Sequence, residues 1–84
     1  MEEIIIPRNI REIQKDAFKN CKCLRKVTFE EGSMLNRIAC GAFQNCSSLK
    51  NILFPDGLEE IGLDAFEESG LESIAFPASL RTVR

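Results

Sequence analysis

A chain of 84 residues suits one compact unit, and as a lone globule it would bury only a modest share of its surface. Hydrophobic residues at 44% and charged residues at 29% exclude compositional disorder, and a net charge of −2 excludes broad steering toward nucleic acid or acidic membranes. His, Trp and Tyr are absent, which removes imidazole bases and histidine metal ligands at once.

The chain opens on the acidic Met1-Glu2-Glu3, followed by Ile4-Ile5-Ile6-Pro7. A secretory signal needs a basic start and a longer apolar run, so either the protein is not secreted or the chain begins downstream of its signal. No apolar run approaches the roughly 20 residues of a membrane span, so no membrane insertion is expected. Ile4 and Ile6 read as a short strand that Pro7 ends without losing a needed ladder bond. Ile10 and Ile13 mark a second short extended segment, and Asp16-Ala17-Phe18 suits a single helical or 3₁₀ turn that plugs its Phe inward, with Asp as a cap.

The same phrase then returns. Leu24, Val27 and Phe29 lead to Glu30 in the Pro slot. Leu35 and Ile38 precede Gly41-Ala42-Phe43, and Cys46 repeats Cys21. The third copy is Leu49, Ile52, Phe54, Pro55, Leu58, Ile61, Asp64-Ala65-Phe66 and Ser69. The fourth runs Leu71, Ile74, Phe76, Pro77, Leu80, Val83. The Ala-Phe pairs are spaced by 25 and 23 residues. The length changes fall at Glu31-Gly32-Ser33 and Ser69-Gly70, both turn-rich. The units are approximately 4–23, 24–48, 49–70 and 71–84, about three and a half repeats in a single array over residues 1–84.

A rung of this kind exposes apolar side chains on both flat faces and becomes stable only when neighbours cover them. Stacking in register predicts four columns: Leu24/Leu49/Leu71, Val27/Ile52/Ile74, Phe29/Phe54/Phe76 and Phe18/Phe43/Phe66. Between the second set of aliphatics, Glu12, Arg37 and Glu60 alternate in sign from rung to rung, and Glu59 meets Arg81. These are lateral pairs on a solvated surface.

The stretch from Ala42-Phe43-Gln44-Asn45-Cys46 through Leu49-Lys50-Asn51-Ile52-Leu53-Phe54-Pro55 resembles the BspA-like subfamily of leucine-rich repeats, and the likeness extends from Ile4 to Val83. The resemblance implies a mostly β repeat solenoid of the α/β type. It would be a right-handed coil with a parallel concave sheet, short convex extended segments and single helical or 3₁₀ turns. It also implies a parent protein that is secreted or at the cell surface and works by adhesion or protein binding. Caps are missing at both ends, so a fragment of a longer array is expected, or an end-to-end homo-oligomer joined through the uncapped repeats.

Cys21, Cys23, Cys40 and Cys46 read as small buried residues, with a Cys21–Cys46 bridge open in an oxidising compartment. The usual Cys-x-x-Cys spacing is missing, which argues against zinc, and no His is present to activate a catalytic thiol. There is no Gly-rich phosphate loop and no nucleophile elbow, and the carboxylates fall in adjacent surface pairs. The expectation is a chain that is not an enzyme and has no cofactor and no metal.

Candidate binding residues lie on the outward side of the first set of strands. One row is Ile5, Thr28, Leu53 and Ala75. Beside it run Lys26, Asn51 and Ser73 with Glu3, then Arg25 and Lys50 with Glu2 and Glu72. The first row is unusually apolar for a solvated face. The basic spot of Arg25, Lys26 and Lys50 lacks surface aromatics, which argues against nucleic acid. The leading function is a non-catalytic module that binds a protein ligand on its concave face. The alternatives are a structural spacer and an accessory substrate-binding repeat of a larger enzyme or surface protein.

Overall fold

The computed structural model describes residues 3–72 and 76–83. Among the described residues, seven short strands form two parallel sheets. β1 (Glu3–Ile6), β3 (Lys26–Phe29) and β5 (Asn51–Ile52) form one sheet in that order. β2 (Glu12–Ile13), β4 (Arg37–Ile38), β6 (Glu60–Ile61) and β7 (Thr82–Val83) form the other. Up to β6 the strands that follow one another in the chain lie in different sheets, and β7 pairs with β6 one repeat on. Each strand hydrogen-bonds to the one a whole repeat away, because the repeat brings every slot back one rung further along.

The register is the one the repeat demands. Ile4 pairs with Val27 and Ile6 with Phe29; Val27 pairs with Ile52; Ile13, Ile38 and Ile61 stand in line, and Ile61 meets Val83. A slip of one residue would turn each buried Ile or Val outward, so burial locks the pairing. Leu24, Val27, Leu35, Ile38, Phe43, Leu49 and Leu58 are essentially inaccessible and form one continuous core with Ile6, Ile13, Ile52 and Ile61. Phe29 and Phe54 are half-buried against it, and Phe76 is 46% exposed. Ile74, in the column of Val27 and Ile52, lies outside the described residues.

The Ala-Phe segments form the third side of each rung. Here the expected helical or 3₁₀ turn is replaced, since the described residues contain no helix. Alternate amides do two different jobs. Ala17, Lys19 and Cys21 donate to the carbonyls three residues back, at 3.1–3.2 Å. Asp16, Phe18 and Asn20 donate across to Cys40, Ala42 and Gln44 of the next rung, at 2.8–3.1 Å. The second rung repeats this: Gly41, Phe43 and Asn45 donate to Leu63, Ala65 and Glu67.

The cause is the backbone hand. Asp16, Gly41 and Asp64, expected as caps or tight turns, sit at φ of 56°, 66° and 57°. Asn20, Asn45 and Glu68 repeat the left-handed value four residues later, at 66°, 61° and 56°. Left-handed residues cannot continue a right-handed helix, so each turn opens and turns its free amides onto its neighbour. A Cβ on Gly41 would stand 2.3 Å from Asp16 Oδ1, so a side chain there would push the Asp16 carboxylate aside, while Asp16 and Asp64 show that this φ itself tolerates a non-glycine residue.

The three phenylalanines of this side stack in one column. The ring centroids of Phe18 and Phe43 are 5.2 Å apart and those of Phe43 and Phe66 5.3 Å, with the planes within 9° and 6° of parallel. Phe54 meets Phe66 edge-on at 5.8 Å and stacks on Phe76 at 5.9 Å, tying this column to the next.

Candidate functional site

The outward side of the β1-β3-β5 sheet carries the candidate row. Strand alternation points Val27 and Ile52 into the core and leaves their neighbours outside. Ile5 pairs directly with Thr28, and Leu53 follows Ile52 at the end of β5. Ile5 is 64% exposed and Leu53 67% exposed, so two large aliphatic side chains flank Thr28 in water. The Thr28 Oγ1 is covered and has no hydrogen-bond partner in the structure, an unmet polar atom in the middle of the row. Ala75 and Ser73, the fourth-rung members of these rows, lie outside the described residues, as does Glu2.

The second row places Glu3, Lys26 and Asn51 side by side. Lys26 Nζ lies 4.0 Å from Glu3 Oε2, with both side chains about half exposed, so the pair is weak. Arg25 and Lys50 are exposed and adjacent, and the Lys50 amide donates to the Arg25 carbonyl at 3.2 Å. Three cations therefore stand at the amino-terminal ends of β3 and β5, one rung apart.

At the opposite ends of the same strands is a feature that the repeat pattern does not flag. An open groove of about 330 Å³ runs between Thr28, Phe29, Leu53 and Phe54 on its apolar side and Glu30, Glu31 and Asp56 on its rim. Glu30 is anchored, its Oε1 accepting the Arg8 amide at 2.9 Å. This contact accounts for the missing proline of the second copy, because a carboxylate here bridges back to the first rung. The groove owes its width to the longer turn at Glu31-Gly32-Ser33, where Gly32 takes φ 80°. In sequence that insertion reads only as a tolerated loop.

On the other sheet, Arg37 reaches both neighbours. Its NH1 binds Glu12 Oε2 and its Nε lies 3.2 Å from Glu60 Oε1. The hydrogen bond that Arg37 donates to Glu12 and the charge of Glu60 raise the guanidinium's already high pKa. Arg81 meets Glu59 through the backbone, its amide donating at 2.8 Å. The cysteines are free thiols: Cys46 is buried, Cys21 and Cys40 are half-buried and Cys23 is exposed. They do not come together with other acidic residues as a metal-holding group among the described residues. A second hollow, of about 250 Å³, is lined by Phe18, Cys21, Lys22, Cys23 and Leu24.

The site is thus a shallow surface, apolar in the centre, basic at one end of the strands and acidic at the other. Such a face can hold a partner by shape and charge. No curated protein matches the chain. A solved structure, described as a leucine-rich repeat protein from Bacteroides ovatus ATCC 8483, is similar at 23% identity with a TM-score of 0.50, covering 98% of this chain and 33% of that one. At that identity the likeness speaks for the fold alone, and this chain spans about a third of that protein's length. The family described as "BspA type Leucine rich repeat region (6 copies)" matches residues 1–84. Shared phrase, stacked parallel rungs and family match lead to one identification: the chain belongs to the BspA-type leucine-rich-repeat family.

Proposed function

We propose that this chain is a non-catalytic binding module that takes a protein ligand on the outward face of the β1-β3-β5 sheet. The observation that carries this reading is the pair of solvated aliphatic side chains, Ile5 and Leu53, on either side of a covered Thr28 hydroxyl. A plain solvated sheet of this size gains nothing from two such groups in line, whereas an interface core needs them. Arg25, Lys26 and Lys50 form a charged rim at one end and Glu31 and Asp56 at the other, which supplies orientation. Leucine-rich repeats are often used for protein binding, and adhesion is the form this would take in an exported parent protein. The spacer reading leaves the apolar row without a role.

The test is a comparison of variants on one captured partner. Leu53→Asp is expected to reduce binding at least tenfold with an unchanged melting curve, since Leu53 packs against little in the free chain. Glu59→Gln, on the opposite sheet, is expected to bind like the wild type. Equal binding by all three would remove this face from the reading.

A second reading follows from the hollow at Phe18, Cys21 and Leu24, which leaves apolar surface open beside the first turn. Another rung from a second copy would cover it, joining molecules end to end.

A further inference from the structure

Cys21 and Cys46 occupy the same slot of neighbouring rungs, and the turns that carry them are locked in register. Phe18 stacks on Phe43 at 5.2 Å, the Asn20 amide donates to the Gln44 carbonyl at 2.9 Å, and Asn45 Nδ2 lies 2.8 Å from Asn20 Oδ1. Successive parallel strands stand about 4.7–4.9 Å apart, and a disulfide needs Cα atoms about 4.4–6.8 Å apart. The Cys46 thiol already crosses the rung boundary. It donates to the Phe18 carbonyl at 3.0 Å, the same oxygen that accepts the Cys21 amide at 3.2 Å. The two thiols differ in access. Cys46 is buried, whereas Cys21 lines the open hollow beside Phe18 and Leu24.

We propose that Cys21 and Cys46 form a reversible oxidation site, in which small-molecule disulfides entering the hollow convert the pair into an inter-rung bridge. The Cys21 thiolate attacks one sulfur of the reagent RSSR, the reagent's S–S bond breaks, and RS⁻ leaves and takes up a proton. The Cys46 thiolate then attacks the Cys21 sulfur of the mixed disulfide and expels the second RS⁻, which is also protonated. Two protein thiols lose two electrons and two protons, and one RSSR becomes two RSH. The second step is the slow one. Burial raises the Cys46 pKa, so little thiolate is present near neutral pH and the closure speeds up as pH rises. A closed bridge covalently joins the first rung to the second, where otherwise packing, hydrogen bonds and ion pairs hold them. It removes freedom from the unfolded chain and raises the melting temperature.

The inference is independent of the ligand-binding face, and its test needs no ligand. The whole chain, dilute and native, is incubated with oxidised glutathione across a pH series, quenched with acid and mapped by mass spectrometry. The expected product has lost two hydrogen atoms, carries a single Cys21–Cys46 cross-linked peptide pair, forms faster at higher pH, melts several degrees higher and reverts with dithiothreitol. Cys23→Ser is expected to give the same bridge, and Cys46→Ala to stop at a glutathione adduct on Cys21. If Cys46→Ala does not fold, the wild-type map alone decides. A Cys21–Cys23 pair, a wild-type chain that retains glutathione without closing, or a bridge found only in denatured protein would each overturn the proposal.

Discussion

Phe43 is the residue on which most packing converges. Its ring is fully buried and sandwiched between Phe18 and Phe66. Phe43→Ala is expected to cost about 3–5 kcal/mol, read as a large drop in the urea midpoint, because a cavity is added to the lost transfer energy. Glu68 presents the opposite case. It holds the left-handed slot that Asn20 and Asn45 fill in the earlier rungs, at φ 56°, and it is exposed. Asn tolerates that conformation better than a longer side chain does. Glu68→Asn is therefore expected to stabilise the chain by roughly 0.5–1 kcal/mol, checked by thermal unfolding. Gly62 is constrained differently. A Cβ there would stand 2.7 Å from the Cys40 backbone nitrogen, so close inter-rung approach, with no unusual φ, demands glycine.

At the scale of elements, strands of two to four residues are too short to hold themselves. What holds them is repetition: three lines of inter-rung hydrogen bonds, two in the sheets and one through the Ala-Phe turns. The Glu12–Arg37–Glu60 ladder adds an electrostatic line along the second sheet. The guanidinium is in solvent, so this ladder is weak and screened. Arg37→Met is expected to lower the melting temperature slightly at low salt, and the difference is expected to vanish in 1 M NaCl. A salt-independent loss would mean that the Arg37 stem acts by packing instead. On the ligand face, the basic and acidic ends of β3 and β5 make salt dependence the natural companion measurement to the Leu53→Asp comparison.

At the scale of the whole molecule, each rung touches only its neighbours, so stability is close to a sum of rung and interface contributions. The first turn leaves Phe18 half-buried beside the open hollow, while Phe43 one rung in is fully buried. If a second copy completes that interface, sedimentation equilibrium is expected to show an average mass that rises with concentration, and Phe18→Lys to abolish the rise. A constant monomer mass up to high concentration would leave the hollow to other occupants, the small thiol reagents among them.

The repeat made much of the fold legible in advance. The slots of Ile13, Ile38 and Ile61, the Phe18/Phe43/Phe66 column and the Arg37 ladder follow from spacing, because a solenoid maps sequence period directly onto spatial neighbourhood. The exposure of Ile5 and Leu53 was legible for the same reason, since alternation alone decides which face a strand residue takes. The cap-like Asp before Ala-Phe misled at these turns: whether Asp16 and Asn20 adopt a left-handed backbone depends on amides finding carbonyls in the next rung, a contact no local pattern encodes. The acidic groove between Leu53 and Asp56, the orphaned Thr28 hydroxyl and the reach of the Cys46 thiol to the Phe18 carbonyl likewise belong to the tertiary structure alone. Periodicity determines which residues become neighbours; the distances and directions in which their side chains meet are set only when the rungs close on one another.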